Sequence, residues 1–305
     1  MNFLFLFLDG VGLGANDPAI NPLAAASMPV LESLLGGRKM LGGTAPFEGK
    51  RASLIPLDAN LGVKGVPQSA TGQAALVTGR NVPAEIGAHF GPKPNSAVAA
   101  ILGSGNIFKT LNEHGRKATL LNAYPPRYFE GIASGKNMYS SIPMAVTSGG
   151  VALHTEADFF AGRAMAADFT GAGWREHLGY ADAPVRSPHE AGLHLGTLAR
   201  RYDFAFFEFW VSDYVGHYQD MEGALKLLAE FDAVLGGLLG AWDEATGLIL
   251  VTSDHGNMED LSTRRHTTNP VPGLVIGAPG LRGEFTHGLH DLVGVTPAIM
   301  RFFGV

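Results

Sequence analysis

The chain has 305 residues, 46% of them hydrophobic, and contains no cysteine. This length can bury a sizeable core, either as one large α/β domain or as a core with a small accessory domain. The net charge of −6 at pH 7 argues against a surface that binds nucleic acid. The absence of cysteine excludes disulfides, thiolate nucleophiles and cysteine-ligated metal centres, and it fits the cytoplasm, where we expect the protein to be located.

The first predicted element is a strand within the N-terminal sequence MNFLFLFLDG. Its apolar run, residues 3–8, has no basic residue before it and stops at Asp9. A run this short is neither the apolar region of a signal peptide nor a membrane span. We therefore predict a fully buried parallel strand. Because no other apolar stretch approaches membrane length, we expect no association with a membrane.

Later apolar runs alternate with segments of helical periodicity. Strands are predicted at 118–123, 203–209, 247–254 and 272–278, and helices at 106–115, 187–202, 221–242 and 289–303. This alternation predicts an α/β fold with a mainly parallel sheet and helices on both faces. Because active sites collect at the carboxyl ends of such strands, Asp9, Asp213 and Asp254 are predicted to be neighbours.

The stretch 124–188 differs from the rest of the chain. It is rich in glycine, proline and aromatic residues, and its periodicity is weak. We interpret it as a small cap-like insertion into a core formed by residues 1–123 and 189–305.

The sequence LILVTSDHGNMED places a carboxylate and an imidazole, Asp254 and His255, where a buried strand ends. Both can reach one object only if the chain bends there, which Gly256 permits. A second pair, Asp213 and His217, has i, i+4 spacing and therefore shares one side of a helical turn. Aspartate and histidine are ligands of divalent metals, although each segment alone is also typical of an ordinary polar loop.

Two further segments supply a hydroxyl and a third imidazole. In PQSATGQAALVTGR, Ser69 precedes a predicted helix at about 70–78, where the helix dipole favours an anion such as phosphate. An ordinary N-cap serine is the alternative there. In TRRHTTNPVP, His266 lies in a proline-flanked loop, where a lone histidine is usually only solvated. The combined set is Asp9, Ser69, Asp213, His217, Asp254, His255 and His266. Such a set suits two cations about 4 Å apart, which can clamp the attacking and leaving oxygens of a displacement at phosphorus.

Four motifs, DHGNMED, HTTNPVP, DYVGH and FLDGVG, closely resemble those of the alkaline phosphatase superfamily. The nearest match is the branch of cofactor-independent phosphoglycerate mutase and phosphopentomutase, and the resemblance covers about residues 1–80 and 190–305. It implies an alkaline-phosphatase-like fold with two divalent metal ions, Mn²⁺ or Zn²⁺. One ion is implied at Asp213, His217 and His266. The other is implied at Asp9, Asp254, His255 and the nucleophile.

The nucleophile turn of the family reads Ser or Thr, two residues, then Gly-His. In this chain it falls on residues 69–73, so the resemblance implies Ser69 as the nucleophile and as a metal ligand, with Thr71 as the reserve candidate. Gln73 departs from the usual histidine, and we expect the local hydrogen bonding to differ.

The resembling mutases hold their dephosphorylated intermediate with a larger inserted domain, whereas only 124–188 is available here. A short lid excludes water poorly, and water competes for a phosphoenzyme. We therefore predict a phosphoric ester hydrolase that acts through a phosphoserine on a small phosphorylated metabolite. A phosphomutase is the alternative, and phosphodiester cleavage stays open. The Cys/Ser-x-Pro-x-Arg stretch of the similar sulfatases is absent.

Three further residues are candidates for substrate contact. His89 and Lys93 lie in a glycine- and proline-rich loop after the nucleophile helix, and Arg265 precedes the third histidine. A guanidinium group suits phosphate oxygens. A plain surface loop is the alternative for each of them.

Two rival interpretations belong to other classes. Gly10-x-Gly12-x-x-Ala15 after the first strand matches a loose dinucleotide-binding pattern. Residues 16–18, Asn-Asp-Pro, predict a turn there instead of the required helix. An inactive metal-binding relative is the second rival. Such a relative is expected to have lost a metal ligand, and this sequence has lost none.

Overall fold

The computed structural model describes residues 1–305. The strands are β1 (Phe3–Leu8), β2 (Phe47–Glu48), β3 (Ala52–Leu57), β4 (Ala118–Leu120), β5 (Ala123–Tyr124), β6 (His154–Thr155), β7 (Phe204–Phe209), β8 (Leu248–Thr252) and β9 (Val271–Ile276). The helices are α1 (Pro22–Ala25), α2 (Pro29–Leu34), α3 (Ser69–Thr78), α4 (Val82–Ile86), α5 (Ser96–Ser104), α6 (Ile107–Glu113), α7 (Pro126–Ala133), α8 (Ser141–Ser148), α9 (Glu156–Phe160), α10 (Ala172–Glu176), α11 (Pro188–Ala199), α12 (Val211–Tyr218), α13 (Met221–Ala241), α14 (Pro279–Thr286) and α15 (Val295–Phe303).

Seven strands form one sheet in the order β2-β3-β9-β8-β1-β7-β4, and β5 pairs with β6 separately. Strands β4, β7, β1 and β8 run parallel. Their register aligns the strand ends, because Leu8 of β1 lies opposite Phe209 of β7. The predicted α/β class with a parallel sheet at its centre is confirmed. The carboxyl ends of β1, β7 and β8 therefore meet at one edge.

The other side of the sheet is antiparallel, which the sequence does not predict. Strand β9 pairs antiparallel with β8 and with β3, and β2 pairs antiparallel with β3. An apolar run indicates that a strand is buried but not which way it runs. No helix lies between β8 and β9, so the loop 253–270 simply returns the chain along its neighbour.

Helices cover both faces of the sheet. Alternate residues of a strand point to opposite faces. Phe204 and Phe206 of β7 pack with residues of α3, α6 and α8, on what we call the α3 face. Phe207 and Phe209 pack with residues of α11 and α13 on the other face. This double cover explains why β1 and β7 are apolar on both sides.

The helices α6, α11 and α13 lie within the ranges predicted for them. The predicted closing helix, 289–303, begins only at Val295. Pro297 lies in its first turn, where amides have no intrahelical partner and proline is tolerated. The predicted strand 118–123 divides between β4 and β5, which belong to different sheets.

The segment 124–188 contains α7 to α10 and β6. Helix α8 packs against α3 and α5 on the α3 face. Farther along, Phe159 and Trp174 belong to a separate small cluster, with ring centroids 4.5 Å apart. The division of the chain into core and cap stays a prediction. None of the helices combines the length and the apolar character that crossing a membrane requires.

Candidate metal centre

Strand β1 carries the first candidate ligand to the carboxyl edge of the sheet. Asp9 directly follows Leu8 and is only 8% exposed. The chain turns at Gly10, whose φ is +67°, and a Cβ at this position would collide with Asp213. Glycine therefore allows both the turn and the close approach of α12 to β1.

Strand β8 ends before Asp254 and His255, and both residues are fully buried in the turn that follows. The Nε2 atom of His255 lies 3.4 Å from Oδ1 of Asp9 and 3.5 Å from Oδ2 of Asp254. The side chains of Asp254 and His255, although adjacent in the chain, thus face the same point. Glycine is needed at position 256 for steric reasons and not for an unusual backbone angle, because a Cβ there would collide with Glu259.

Helix α12 presents Asp213 and His217 on one side, as their spacing predicts. The Nε2 atom of His217 lies 3.2 Å from Oδ2 of Asp213. His266 joins them, with its Nε2 3.3 Å from that of His217 and 3.8 Å from Oδ1 of Asp213. The Nδ1 atoms of the two histidines donate to the carbonyls of Arg264 and Pro67, at 2.9 and 2.8 Å. These bonds orient both rings, so that the two Nε2 atoms point into the same space.

Asp213 belongs to two groups whose ligand atoms all lie within 4.8 Å of one another. One group is Asp213, His217 and His266. The other is Asp9, Asp213 and His255. The imidazole rings of His255 and His266 stack with centroids 3.7 Å apart, which joins the groups into one centre. The motif resemblance assigns Asp213 to a single ion, whereas the geometry places it between both positions.

Ser69 is the first residue of α3, and its hydroxyl faces the same centre. Gln68 occupies the N-cap position, so the interpretation of Ser69 as an ordinary N-cap is wrong. The Oγ atom of Ser69 lies 3.0 Å from Nε2 of His255. Thr71 is fully buried, and its hydroxyl accepts from the amide of Phe90 and donates to the carbonyl of Gln68, both at 3.1 Å. The hydroxyl of Ser69 thus faces the candidate ligands, whereas that of Thr71 is engaged with the backbone.

Gln73 lies one helical turn beyond Ser69 and is 3% exposed. Its Nε2 is 3.4 Å from Oδ2 of Asp9, and its Oε1 is buried without a hydrogen-bond partner. An amide can donate to Asp9 without adding a charge. Gln73 thus stands beside a candidate ligand as a neutral donor.

Burial and mutual repulsion disturb the titration of the candidate ligands. Burial, and then the charges of Asp254 and Asp213, raises the pKa of Asp9 well above its ordinary value. Burial and the charge of Asp213 raise the pKa of Asp254 to about 7. Burial and the charge of His266 lower the pKa of His255 to about 3. The imidazole is therefore neutral and leaves crowded carboxylates without a compensating positive charge.

Divalent metal ions fit this arrangement of side chains. Oδ1 of Asp9 and Oδ2 of Asp254 are buried and have no hydrogen-bond partner. Unpartnered buried carboxylate oxygens are costly unless a cation or a donor meets them. Together with the lone pairs of the imidazoles they form nitrogen and oxygen donor sets of the kind that bind transition-metal ions.

The candidates for substrate contact lie in less defined surroundings. The ring of His89 packs against the loop 60–65, and burial lowers its pKa. Lys93 and Arg265 are exposed. Contact of these three residues with a substrate stays a prediction.

Three buried polar residues around the candidate ligands are absent from the sequence predictions. Asn257 donates from Nδ2 to Oδ1 of Asp213 at 2.7 Å. Glu259 is 1% exposed, and Glu208, within β7, is 6% exposed. The only sequence signal for Glu208 is a lone carboxylate in the apolar run FAFFEF. Asn257 and Glu259 resemble ordinary loop residues, because their partners are distant in sequence.

The dinucleotide-binding interpretation does not hold. After β1 the chain forms no helix until α1 begins at Pro22. The pattern needs a helix directly after the glycines, so that its first amides can hold the pyrophosphate. Instead, a Cβ at Gly12 would collide with Glu259, which explains this glycine by packing.

Comparisons with known proteins show which sequences and structures this chain resembles. Residues 194–305 match the family model of the Metalloenzyme superfamily. A 2,3-bisphosphoglycerate-independent phosphoglycerate mutase of Roseobacter denitrificans is 41% identical over 118 residues, which are 36% of this chain and 23% of the mutase. The similarity therefore spans less than a quarter of that relative's length.

Two solved structures share the fold over nearly the whole chain. An alkaline phosphatase from the Antarctic bacterium TAB5 has a TM-score of 0.56 at 14% identity, over 99% of this chain and 97% of the other. A phosphoglycerate mutase from Leishmania mexicana has a TM-score of 0.51 at 13% identity, over 99% and 95%. The resemblance inferred from the motifs is thus confirmed: residues 194–305 match the family model of the Metalloenzyme superfamily, and the chain as a whole shares the fold of these alkaline phosphatase and phosphoglycerate mutase structures.

Proposed function

We propose that the protein is a metal-dependent phosphoric ester hydrolase that acts through a phosphoserine on Ser69. The observation that carries the proposal is the 3.0 Å contact between Oγ of Ser69 and Nε2 of His255, in the middle of the candidate ligands. Both atoms of this contact belong to the candidate ligand set, so an ion held there would lie beside the hydroxyl and could activate it as a nucleophile. The proposed substrate is a small phosphorylated metabolite, and the proposed location is the cytoplasm.

Two Mn²⁺ or Zn²⁺ ions are part of the proposal. One would be held by Asp213, His217 and His266. The other would be held by Asp9, Asp254, His255 and Ser69, with Asp213 close to both. When bound, the ions supply positive charge that favours the ionised serine and the charge that develops on a transferring phosphoryl group.

The residues of the chain divide the chemistry as follows. Oγ of Ser69 attacks phosphorus, so that an Oγ–phosphorus bond forms while the bond to the leaving oxygen breaks, and the proton that Oγ gives up leaves with the alcohol. The dipole of α3 favours an anion at its first residue, where the phosphate would lie. Water then attacks the phosphoserine, releases inorganic phosphate and returns the proton to Ser69.

Access of water supports hydrolysis over transfer back to the substrate. The side chain of His217 is 43% exposed, whereas that of His266 is 7% exposed. One side of the centre is therefore open to solvent. An enzyme that returns its phosphoryl group must exclude water from the intermediate.

A phosphomutase is the second candidate, and the sequence similarity to phosphoglycerate mutases favours it. Phosphorus NMR separates the two functions. Conversion of 3- to 2-phosphoglycerate, or of ribose 1- to 5-phosphate, without release of inorganic phosphate would support the mutase. Release of inorganic phosphate supports the hydrolase. Cleavage of bis(p-nitrophenyl) phosphate would indicate a phosphodiesterase.

The direct test uses the full chain, stripped with a chelator and reloaded with Mn²⁺ or Zn²⁺. We expect the reloaded protein to hydrolyse p-nitrophenyl phosphate and the stripped protein to be inactive. A second variant, His217→Ala, removes one candidate ligand from the open side of the centre, and we expect it to lower the rate of hydrolysis. Absence of turnover with every metal and at every pH between 6 and 10 would overturn the proposal.

A further inference from the structure

The solvent-facing side of α12 carries a row of aromatic side chains that the site described above does not use. Its members, Trp210, Tyr214 and Tyr218, are 47%, 58% and 66% exposed. They follow one another at intervals of four residues, and residues four apart are neighbours on a helix surface. The ring centroids of Trp210 and Tyr214 are 6.3 Å apart, and those of Tyr214 and Tyr218 are 5.3 Å apart. We call these three residues the aromatic row.

The opposite side of α12 is packed against the rest of the chain. Val211 and Val215 contact the core on the face that α11 and α13 cover. Gly216 is buried, and a Cβ there would collide with Asn257. The orientation of the helix is therefore fixed, and it turns the aromatic row towards solvent. Neighbouring exposed apolar side chains of this size are typical of a surface that binds something.

The aromatic row borders the candidate metal centre. Trp210 has φ −85° and ψ −10°, the angles of a helical residue, so the helical spacing extends to it. It precedes Asp213 by three residues, just as Tyr214 precedes His217, and side chains three apart have Cβ atoms about 5–6 Å from each other. The side chain of His217 is itself exposed and lies at the edge of the row. Aromatic rings therefore line the open side of the centre, where a substrate enters from solvent.

The arrangement of the rings indicates what they can hold. The planes of Trp210 and Tyr214 meet at 74°, so the two rings form a corner. A flat ring can stack on one of them and meet the edge of the other, and both contacts are favourable between aromatic groups. Aromatic faces also attract cations, but a cationic group here would be repelled by the ions proposed at Asp213 and His217. A neutral aromatic ring suits the corner best.

We propose that Trp210 and Tyr214 form a stacking subsite for the substrate, so that the substrate is a phosphate ester whose alcohol carries an aromatic ring. The inference rests on the proposed function, because a phosphate held at the metal centre is what brings the organic part of the ester beside α12. It narrows the small phosphorylated metabolite to one chemical class. Phosphoglycerate, after which the mutases with similar sequence are named, has no ring and lies outside this class.

Two esters of similar size test the proposal. Benzyl phosphate and cyclohexylmethyl phosphate both carry a six-membered ring on a CH₂–O–phosphate group, and they differ in a flat aromatic ring against a puckered saturated one. Their leaving alcohols are similar, so a difference in rate reports on the ring. For the metal-loaded wild type we expect a kcat/KM about fivefold higher for benzyl phosphate, which is what one aromatic contact supplies beyond buried area. Equal values, or a preference for cyclohexylmethyl phosphate, would overturn the proposal.

Substitutions connect that preference to the two residues. Trp210→Leu and Tyr214→Leu remove a ring but keep an apolar side chain, and each should lower the ratio of the two kcat/KM values. Tyr214→Phe keeps the ring and should retain the ratio. The control is Phe160→Leu, at an exposed ring that contacts Trp174 in the separate small cluster, and the ratio should not change there. An unchanged ratio in both Trp210→Leu and Tyr214→Leu, or an equal loss in Phe160→Leu, would overturn the proposal.

Tryptophan fluorescence gives a readout that does not depend on turnover. Of the three tryptophans, Trp210 is exposed, whereas Trp174 and Trp242 are only 4% and 7% exposed. Quenching by acrylamide therefore reports mainly on Trp210. In metal-loaded Ser69→Ala, benzyl phosphate should protect the fluorescence from acrylamide, and inorganic phosphate should not. Absence of protection by benzyl phosphate at a concentration that calorimetry shows to be saturating would overturn the subsite.

The outcomes separate this inference from the proposed function. Hydrolysis of p-nitrophenyl phosphate without a preference for benzyl phosphate would overturn only the subsite. Absence of hydrolysis of any ester would overturn the proposed function, whereas protection of Trp210 by benzyl phosphate would still support the subsite. A dimer in analytical ultracentrifugation that Tyr214→Leu abolishes would overturn the subsite, because it would assign the aromatic row to a contact between two copies of the chain.

Discussion

The carboxylate of Glu259 accepts a hydrogen bond of 2.9 Å from the backbone amide of Gly12, in the loop after β1. It also accepts from the amide of Asn257 at 2.7 Å and from the side chain of Thr267, on the loop that carries His266. One buried group thus ties together the loops after β1 and β8. Through the side chain of Asn257, the same network reaches α12.

Glu259→Gln should weaken binding at both metal positions. Both backbone amides donate to Oε2, so a glutamine that keeps these two bonds would turn its NH₂ group towards the side-chain donors that Oε1 now accepts from. Loss of such an outer partner typically costs 10- to 100-fold in metal affinity. Competition with a chelating dye measures the effect. The control is Glu244→Gln at the surface pair with Arg51, and equal affinities in the two variants would contradict the prediction.

Ser69→Ala should reduce turnover of p-nitrophenyl phosphate by at least about 10³-fold, because no other hydroxyl faces the candidate ligands in the same way. Metal content should stay near two ions per chain, since the other ligands are unchanged. Mass spectrometry after an acid quench should detect a phosphoserine in the wild type only.

Thr71→Val is the matched variant for that experiment. It removes the reserve hydroxyl, whose bonds to the backbone of Phe90 and Gln68 indicate a structural role. We expect the free energy of unfolding to fall by roughly 1–2 kcal/mol, because the amide of Phe90 loses its hydrogen-bond acceptor. Turnover should be largely retained. Full activity in Ser69→Ala, together with loss of activity in Thr71→Val, would assign the nucleophile to Thr71.

Much of the centre could be predicted from the sequence because its ligands follow short local patterns. Asp9 and Asp254 come directly after apolar strands, and the spacing of Asp213 and His217 is that of one helical turn. The carboxyl ends of parallel strands share an edge, so these local signals were enough to predict one neighbourhood.

What could not be predicted depends on partners distant in sequence. The direction of β9 is set by the loop before it, and the apolar pattern of a strand carries no direction. Glu259 gains its role from Gly12, which is 247 residues away in the chain. The position of Asp213 between two ligand groups follows from the approach of α12 to β1, which only the folded chain shows.

The position of Asp213 between the two groups leads to a prediction about metal stoichiometry. Its ligand atoms lie within 4.8 Å of the ligand atoms of both groups, so Asp213→Asn should weaken the binding of both ions. His217→Ala touches only one group and should leave about one ion per chain. Elemental analysis after gel filtration, with a fixed excess of Zn²⁺ beforehand, measures both values. An equal loss of bound metal in the two variants would contradict the prediction, because it would show that the binding of one ion depends on the other.

Metal ions should also stabilise the fold, because they remove the repulsion between the buried carboxylates of Asp9 and Asp254. A ligand at 100 times its dissociation constant adds about 2.7 kcal/mol to the free energy of unfolding. We expect Tm to rise with Zn²⁺ or Mn²⁺ and to fall on chelation. In Asp254→Asn, which lacks one of the repelling charges, the chelated protein should melt at a higher temperature than the chelated wild type.

The pH dependence of the chelated protein should depend on Glu208. Its pKa is about 8 in the folded chain, against an ordinary value of 4.5, so at pH 7 the folded state holds a proton that the unfolded state has released. The free energy of unfolding therefore falls as pH rises towards 8, by about 1.4 kcal/mol per pH unit, and it levels off once both states are ionised. Glu208→Gln has no proton to lose, so its stability should fall less between pH 7 and 9. Urea unfolding at pH 7, 8 and 9 measures the difference between the two proteins. A parallel decline in both would mean that Glu208 is already ionised at neutral pH.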